Sequence, residues 1–175
     1  MNQRMSTMLN KLQAENFNTY NTGETDQRPW GFYEVTNAGT RNGEEFCEKK
    51  IGVKPYQALS LQRHHGRREN WKVLSGELTV IHNGEIMTLS EGQSIDIDLM
   101  APHCMINMTA MPVVVYEIQM GVCRESDNDR LCDFSGRETL KIEKDDLMAL
   151  KSKELYLKVM ESLHQAHKEC TEIAA

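Results

Sequence analysis

The chain of 175 residues contains no uninterrupted apolar run of about 18 residues, the length a helix needs to cross a bilayer, so a membrane-spanning helix is not expected. It also lacks an excess of basic charge: 20 Lys and Arg stand against 26 Asp and Glu, giving a net charge of −6 and an isoelectric point near 5.5. That balance argues against a nucleic-acid surface, which needs a basic patch to meet the phosphates. The opening residues, MNQRMSTMLNKLQAENFN, have no apolar core of the signal-peptide kind. Cysteine is present without the patterns that make it structural. Cys47, Cys104, Cys123, Cys132 and Cys170 are odd in number, widely spaced and include no C-x-x-C pair. Without an export signal they read as free thiols, and Cys104 as a buried bystander. A cytoplasmic globular protein is the expectation.

What is there divides into three regions by composition. Residues 1–27 are polar, with a weak helical pattern from Met5 to Leu12, and read as an arm that orders only by docking. Residues 28–137 break into strand-length segments: FYEVT, EFCEKKIGV, ALSLQRH, NWKVLSG, ELTVIHN, EIMTLSE, SIDID, HCMINM and VVVYEIQM. Turn formers separate them, and Asn83-Gly84 within ELTVIHNGEIMTL is a strong two-residue hairpin signal. Many short strands joined by tight turns, with hardly any helix between them, predict an all-β sandwich or barrel. Residues 138–175 form a helical extension, acidic at its start and rich in His and Lys near its end, as the helix dipole favours. Met148, Leu155, Val159, Leu163, Ala166 and Cys170 fall on one stripe at helical spacing, suited to the barrel's outside or to a second subunit.

The chemistry concentrates in ALSLQRHHGRRENWKVLSGE and, about thirty residues on, GQSIDIDLMAPHCMIN. Gln62 and His64 are one residue apart, so on a strand both side chains point to the same face. Glu69 follows a short bend and swings back to that face, and His103 opens another strand after an Ala-Pro turn. Four ligands, Gln62, His64, Glu69 and His103, thus converge inside one barrel. Two imidazoles, a carboxylate and an amide oxygen suit one borderline or hard divalent ion (Zn, Mn, Co, Ni, Fe or Mg) and not a soft one. A structural zinc site would show thiolates, and none is suitably placed.

The spacing resembles the two cupin motifs, G-x5-H-x-H-x(3,4)-E-x6-G and G-x5-P-x-G-x2-H-x3-N. The first reads Gln62-x-His64-x4-Glu69-x6-Gly76 and the second Gly92-x5-Asp98-x-Met100-x2-His103-x3-Asn107, with every spacing kept. RPWGFYE at 28–34, KKIGVKP at 49–55, LSLQRHHGRRENWKVLSG at 59–76, Tyr116-Glu117-Ile118-Gln119 and SDNDRLCDFSGR ending at Arg137 are similar to strings of the type II phosphomannose isomerases. That family is the cupin found alone or fused behind a mannose-1-phosphate guanylyltransferase. The resemblance covers residues 28–137. It departs at His64-His65-Gly66, where the family has three histidines, at Arg68-Glu69-Asn70-Trp71 for Ala-Glu-His-Trp, and at Ser135 for Tyr.

The resemblance implies a cupin fold, a double-stranded β-helix or jelly-roll barrel, here with a C-terminal helix. It also implies a sugar-phosphate substrate, with interconversion of mannose 6-phosphate and fructose 6-phosphate. Glu117 is the candidate base, aimed inward with Gln119 by strand alternation; His65 is the alternative, although its adjacency to His64 points it to the opposite face. Lys49, Arg130 and Arg137 match family positions and are candidates to hold the phosphate, with Arg137 preferred. Trp30 and Trp71 read as core aromatics. Two other readings stand beside the isomerase: a non-catalytic sugar-binding cupin, favoured by the altered pocket residues, and a metal-dependent oxygenase, which Gln62 disfavours. A homodimer is expected, through the arm or the C-terminal helix.

Overall fold

A computed structural model describes residues 20–173, with side chains as far as Lys168. The weak helical pattern at Met5–Leu12 and the place of Cys170 on the stripe lie outside the described residues. Among the described residues, twelve strands form two sheets. They are β1 (Thr25–Arg28), β2 (Gly31–Arg41), β3 (Glu44–Val53), β4 (Gln57–Ala58), β5 (Leu61–His64), β6 (Arg67–Ser75), β7 (Glu77–His82), β8 (Glu85–Ser90), β9 (Ser94–Ile97), β10 (His103–Asn107), β11 (Val113–Gly121) and β12 (Asn128–Cys132). One sheet runs β1-β2-β3-β11-β6-β9; the other runs β12-β5-β10-β7-β8, with β4 also paired to β10. All pairings are antiparallel, and the arrangement is the cupin jelly roll. The Asn83-Gly84 hairpin forms as expected: His82 pairs with Glu85, and both turn residues have positive φ, 49° and 76°.

Three neighbouring strands explain where the site lies. Alternation buries Lys49, Ile51 and Val53 on β3, Glu69, Trp71 and Val73 on β6, and Val113, Val115, Glu117 and Gln119 on β11. On each strand the inward face is polar at one end and apolar at the other. The register aligns like with like, placing Val115 beside Ile51 and Val73, Glu117 beside Lys49, and Gln119 beside Glu69. The apolar ends join Leu78, Val80 and Met105 of the facing sheet in the main core. The polar ends form a pocket at the other end of the barrel.

Within the extension, residues 138–146 are non-helical and a helix, α1 (Leu147–Ile173), packs on the outer face of the second sheet against Leu61, Ile81, Cys104, Ile106 and Leu131. Asp146 caps it, accepting from the Ala149 N–H at 3.1 Å, and Arg63 of β5 binds the same carboxylate. Its buried face differs from the expected stripe. Val159 and Leu163 are buried, but Met148 is 40% exposed, and the contact is carried by Ala149, Ser152, Tyr156 and Met160. Small residues at 149 and 152 allow close approach, and Ser152 Oγ accepts from the Gly84 N–H of the hairpin at 2.9 Å. Tyr156 is 1% exposed and donates its hydroxyl to the Leu59 carbonyl at 3.2 Å. Tyr156→Ala should therefore destabilise the protein by about 3 kcal/mol. Urea titration measures this, and a loss below about 1 kcal/mol would mean the helix is a loose appendage.

Candidate metal centre and sugar pocket

The bend between β5 and β6 brings Glu69 to His64. Gly66 turns there, its N–H held by the Asp127 carboxylate at 3.0 and 3.1 Å. A Cβ on Gly66 would come within 2.6 Å of Val122, and one on Gly121 within 2.1 Å of the Gly66 carbonyl oxygen, so the two glycines let the backbones touch. His103, on β10, lies opposite Gln62 in the ladder. The donor atoms of His64, Glu69 and His103 lie within 4.8 Å of one another, and all three residues are buried.

Both imidazoles are oriented through Nδ1. His64 Nδ1 faces the Asp127 carbonyl at 3.2 Å and His103 Nδ1 the Ala101 carbonyl at 2.8 Å. With Nδ1 donating to a carbonyl, each ring turns Nε2 toward Glu69, 3.2 Å from His64 and 3.8 Å from His103, and Nε2 is the atom that would ligate an ion once it carries no proton. His103 Nε2 has no hydrogen-bond partner among the described residues. A buried, unpartnered imidazole nitrogen facing a carboxylate and a second imidazole suits a borderline divalent ion, so the donor set fits.

One neighbour competes for these atoms. Arg67, 3% exposed, donates from Nε to Glu69 Oε1 at 2.9 Å, and its terminal nitrogen lies 3.1 Å from His64 Nε2. Glu69 also accepts from Trp71 Nε1 at 3.0 Å and Gln119 Nε2 at 3.1 Å. Burial alone would raise the Glu69 carboxyl, but its contacts with His64 and Arg67 outweigh that and hold it well below the usual range. Glu117 is the opposite case. Burial first, and the Glu69 carboxylate second, push it up, while Lys49 at 3.8 Å and Arg67 pull the other way. Gln119 Nε2 bridges the two acids, 2.8 Å from Glu117. Two adjacent carboxyls are thereby set apart, one held ionised and one poised to carry a proton.

The His103 imidazole is pushed down to about 3, chiefly by burial, from an ordinary value of 6.5. Below pH 6.5 the unfolded chain takes up a proton that the folded one refuses, so stability falls with pH across that window. For chelator-treated protein, one such group contributes a slope of about 1.4 kcal/mol per pH unit. Urea titrations between pH 6.5 and 5, compared with His103→Asn, test this; equal slopes for the two proteins would remove it.

A cavity of about 70 Å³ adjoins the trio, lined among others by Tyr20, Arg28, Lys49, Gln62, Arg67, Glu117, Gln119, Asn128 and Arg137. The structure thus brings Glu117, Gln119, Lys49, Gln62 and Arg137 to one space beside the candidate ligands. Gln62, however, has its amide oxygen engaged by Ser60 Oγ at 3.1 Å and Asn128 Nδ2 at 2.8 Å. Arg137 is held by Asp133 at 2.7 Å. His65 is not brought in: its side chain is 59% exposed and pairs with Asp129 at 2.8 Å on the outer face, so it cannot reach a proton in the cavity. Arg130 is also outside the lining and binds Glu125 at 3.2 Å. Trp30 and Trp71 are both core residues as expected, Trp71 with its ring edge-on to His103 and Trp30 also reaching the cavity wall. Sequence reading missed Arg67, Asn128, Arg28 and Tyr20. Arg67 carried a signal, because it shares the parity of Glu69 on β6.

Residues 15–133 match the family described as mannose-6-phosphate isomerase C-terminal. The mannose-1-phosphate guanylyltransferase ManC of Salmonella typhimurium is 36% identical over 126 residues, which are 72% of this chain and 25% of that protein. The mannose-1-phosphate guanylyltransferase of Escherichia coli is 35% identical over 136 residues, 77% of this chain and 28% of that protein. The chain therefore spans about a quarter of the length of these curated relatives. A crystal structure described as a sugar phosphate isomerase from the cupin superfamily of Silicibacter pomeroyi aligns with a TM-score of 0.39 at 19% identity, covering 42% of this chain and 49% of that one. Among the described residues no helix is long and apolar enough to cross a membrane. With a family match running from the end of the N-terminal region through β12, this chain belongs to the mannose-6-phosphate isomerase C-terminal family.

Proposed function

We propose that the chain is a metal-dependent aldose–ketose isomerase interconverting mannose 6-phosphate and fructose 6-phosphate. One observation carries the reading: the buried Glu117 carboxyl, biased toward holding a proton, lines one cavity with Lys49, Arg28 and Arg137 and is tied through Gln119 to Glu69 of the His64–Glu69–His103 cluster. Isomerisation moves a proton between C2 and C1 of the sugar through an enediol, which needs a base and a way to stabilise negative charge on the sugar oxygens. His64, Glu69 and His103 would hold the divalent ion, with Gln62 as a fourth ligand; when bound, the ion supplies electrostatic stabilisation of that charge. Glu117 in its ionised form takes the proton from C2, holds it as the neutral acid while the enediol exists, and returns it to C1; Lys49, 3.8 Å away, supports the ionised form that starts and ends the transfer. Gln119, bonded to both acids, holds Glu117 in place. The arginines on the cavity wall suit the phosphate. The cavity is smaller than the several hundred Å³ usual for such a ligand, and the Tyr20 ring sits 3.5 Å over Lys49 Nζ. Sugar entry requires Tyr20 to swing aside.

A second reading, a sugar-binding cupin without turnover, is favoured by Arg67, whose guanidinium lies on the His64 and Glu69 atoms that an ion needs. Incubating manganese- or zinc-treated protein with mannose 6-phosphate in deuterated water separates the two. The isomerase predicts fructose 6-phosphate and deuterium at the migrating position; tight sugar binding with neither product nor exchange replaces it with the binding module. A homodimer is part of the proposal, and a sedimentation mass of one chain would remove that part.

A further inference from the structure

Gln62 and Asn128 form a pair of side-chain amides at the edge of the cluster. Asn128 lies opposite His64 in the β5–β12 ladder, so its side chain shares the face that carries Gln62 and His64. Asn128 Nδ2 donates to Gln62 Oε1 at 2.8 Å, and Ser60 Oγ donates to the same oxygen at 3.1 Å. The other end of Asn128, Oδ1, is buried and has no hydrogen-bond partner among the described residues. A buried amide oxygen without a donor is costly, about 1–3 kcal/mol, and calls for an explanation.

An amide has one acceptor end and one donor end, and only the oxygen end can bind a cation. With its oxygen turned to Ser60 and Asn128, Gln62 is not set to serve as a ligand. We propose that Asn128 is a positioning residue that selects which end of the Gln62 amide faces the metal centre. When both amides turn over, Gln62 Nε2 donates to Asn128 Oδ1, which satisfies the orphaned acceptor, and the Gln62 oxygen is released toward the ion. Ser60 serves either state, because its hydroxyl both donates and accepts. The pair is therefore a two-position element whose second position completes the ligand set and pairs the Asn128 oxygen, while the Asn128 NH2 takes the place that oxygen leaves. This inference rests on the metal reading of His64, Glu69 and His103.

Cobalt binding, followed by its visible absorption, tests the pair without relying on activity. Asn128→Asp keeps the acceptor and removes the donor, so it should hold the Gln62 oxygen toward the ion. The added charge tightens cobalt by itself, so the same change is made in a Gln62→Leu background. The tightening should be at least about tenfold greater with Gln62 in place than in the leucine background, in the range by which outer partners tune metal affinity. Equal tightening in both backgrounds overturns the proposal, as does a cobalt spectrum unchanged by Gln62→Leu. In the unmodified protein, the side-chain NH2 resonances of Gln62 and Asn128 should move together on zinc addition; movement of Gln62 alone has the same force against it. A protein that takes up neither cobalt nor zinc sinks the metal reading and this pair with it, whereas ion binding without coupling sinks the pair alone.

Discussion

Replacing His103 with alanine should lower the affinity for a divalent ion by more than about a hundredfold and kcat/KM by at least about 10³. The residue is 1% exposed, its Nδ1 is tied to the Ala101 carbonyl, and its Nε2 meets no donor among the described residues. It is a cleaner probe than Glu69. Removing that carboxylate would strip the buried Arg67 of its partner and confound lost function with lost stability. Alanine at 103 does open a space beside Trp71 and His64, whose rings lie 5.3 and 4.8 Å away, so a modest loss of stability accompanies it. Isothermal titration with zinc or manganese reads the affinity, and circular dichroism confirms that the variant is folded. Unchanged ion affinity in a folded variant would show that the cluster is not the binding site.

Glu117→Gln should reduce turnover by about 10²–10⁴, the usual contribution of a positioned general base, while leaving ion binding far less affected. The substitution keeps the shape and the capacity to hydrogen-bond with Gln119 and Lys49 but cannot take up a proton. Its second signature is chemical: solvent deuterium should no longer appear in the sugar. Because the carboxyl is raised by burial and by Glu69, restoring solvent access around it would undo the bias. Turnover within tenfold of the unmodified protein would place the base elsewhere, and His65 could not replace it, since it stands on the outer face bound to Asp129.

The features legible in the sequence are those carried by alternation and spacing. On β11, Val113 and Val115 declare the buried face, and the same parity then aims Glu117 and Gln119 inward. One residue separates Gln62 from His64, and a fixed interval leads to Glu69. What the sequence did not disclose depends on pairing across the fold. β12 (NDRLC) and β1 (TDQR) have little apolar alternation; they are strands because β5 and β2 offer them an edge. Asn128, which reaches Gln62, and Arg28 were obscure for that reason. Arg67 has the right parity, but nothing in one dimension shows that its guanidinium turns back onto His64. The buried helix face shares Val159 and Leu163 with the expected stripe but also takes in Ala149 and Ser152, both fully buried, whose methyl and hydroxyl are weak hydrophobic signals.

The most direct measurement is the anomalous scattering of a crystal grown with manganese or zinc, collected on both sides of the metal edge. A single strong peak is expected about 2.0–2.3 Å from His64 Nε2, His103 Nε2 and a Glu69 oxygen, with the Arg67 guanidinium withdrawn from His64. No peak, with Arg67 still bridging His64 and Glu69 at saturating metal, would contradict the metal reading.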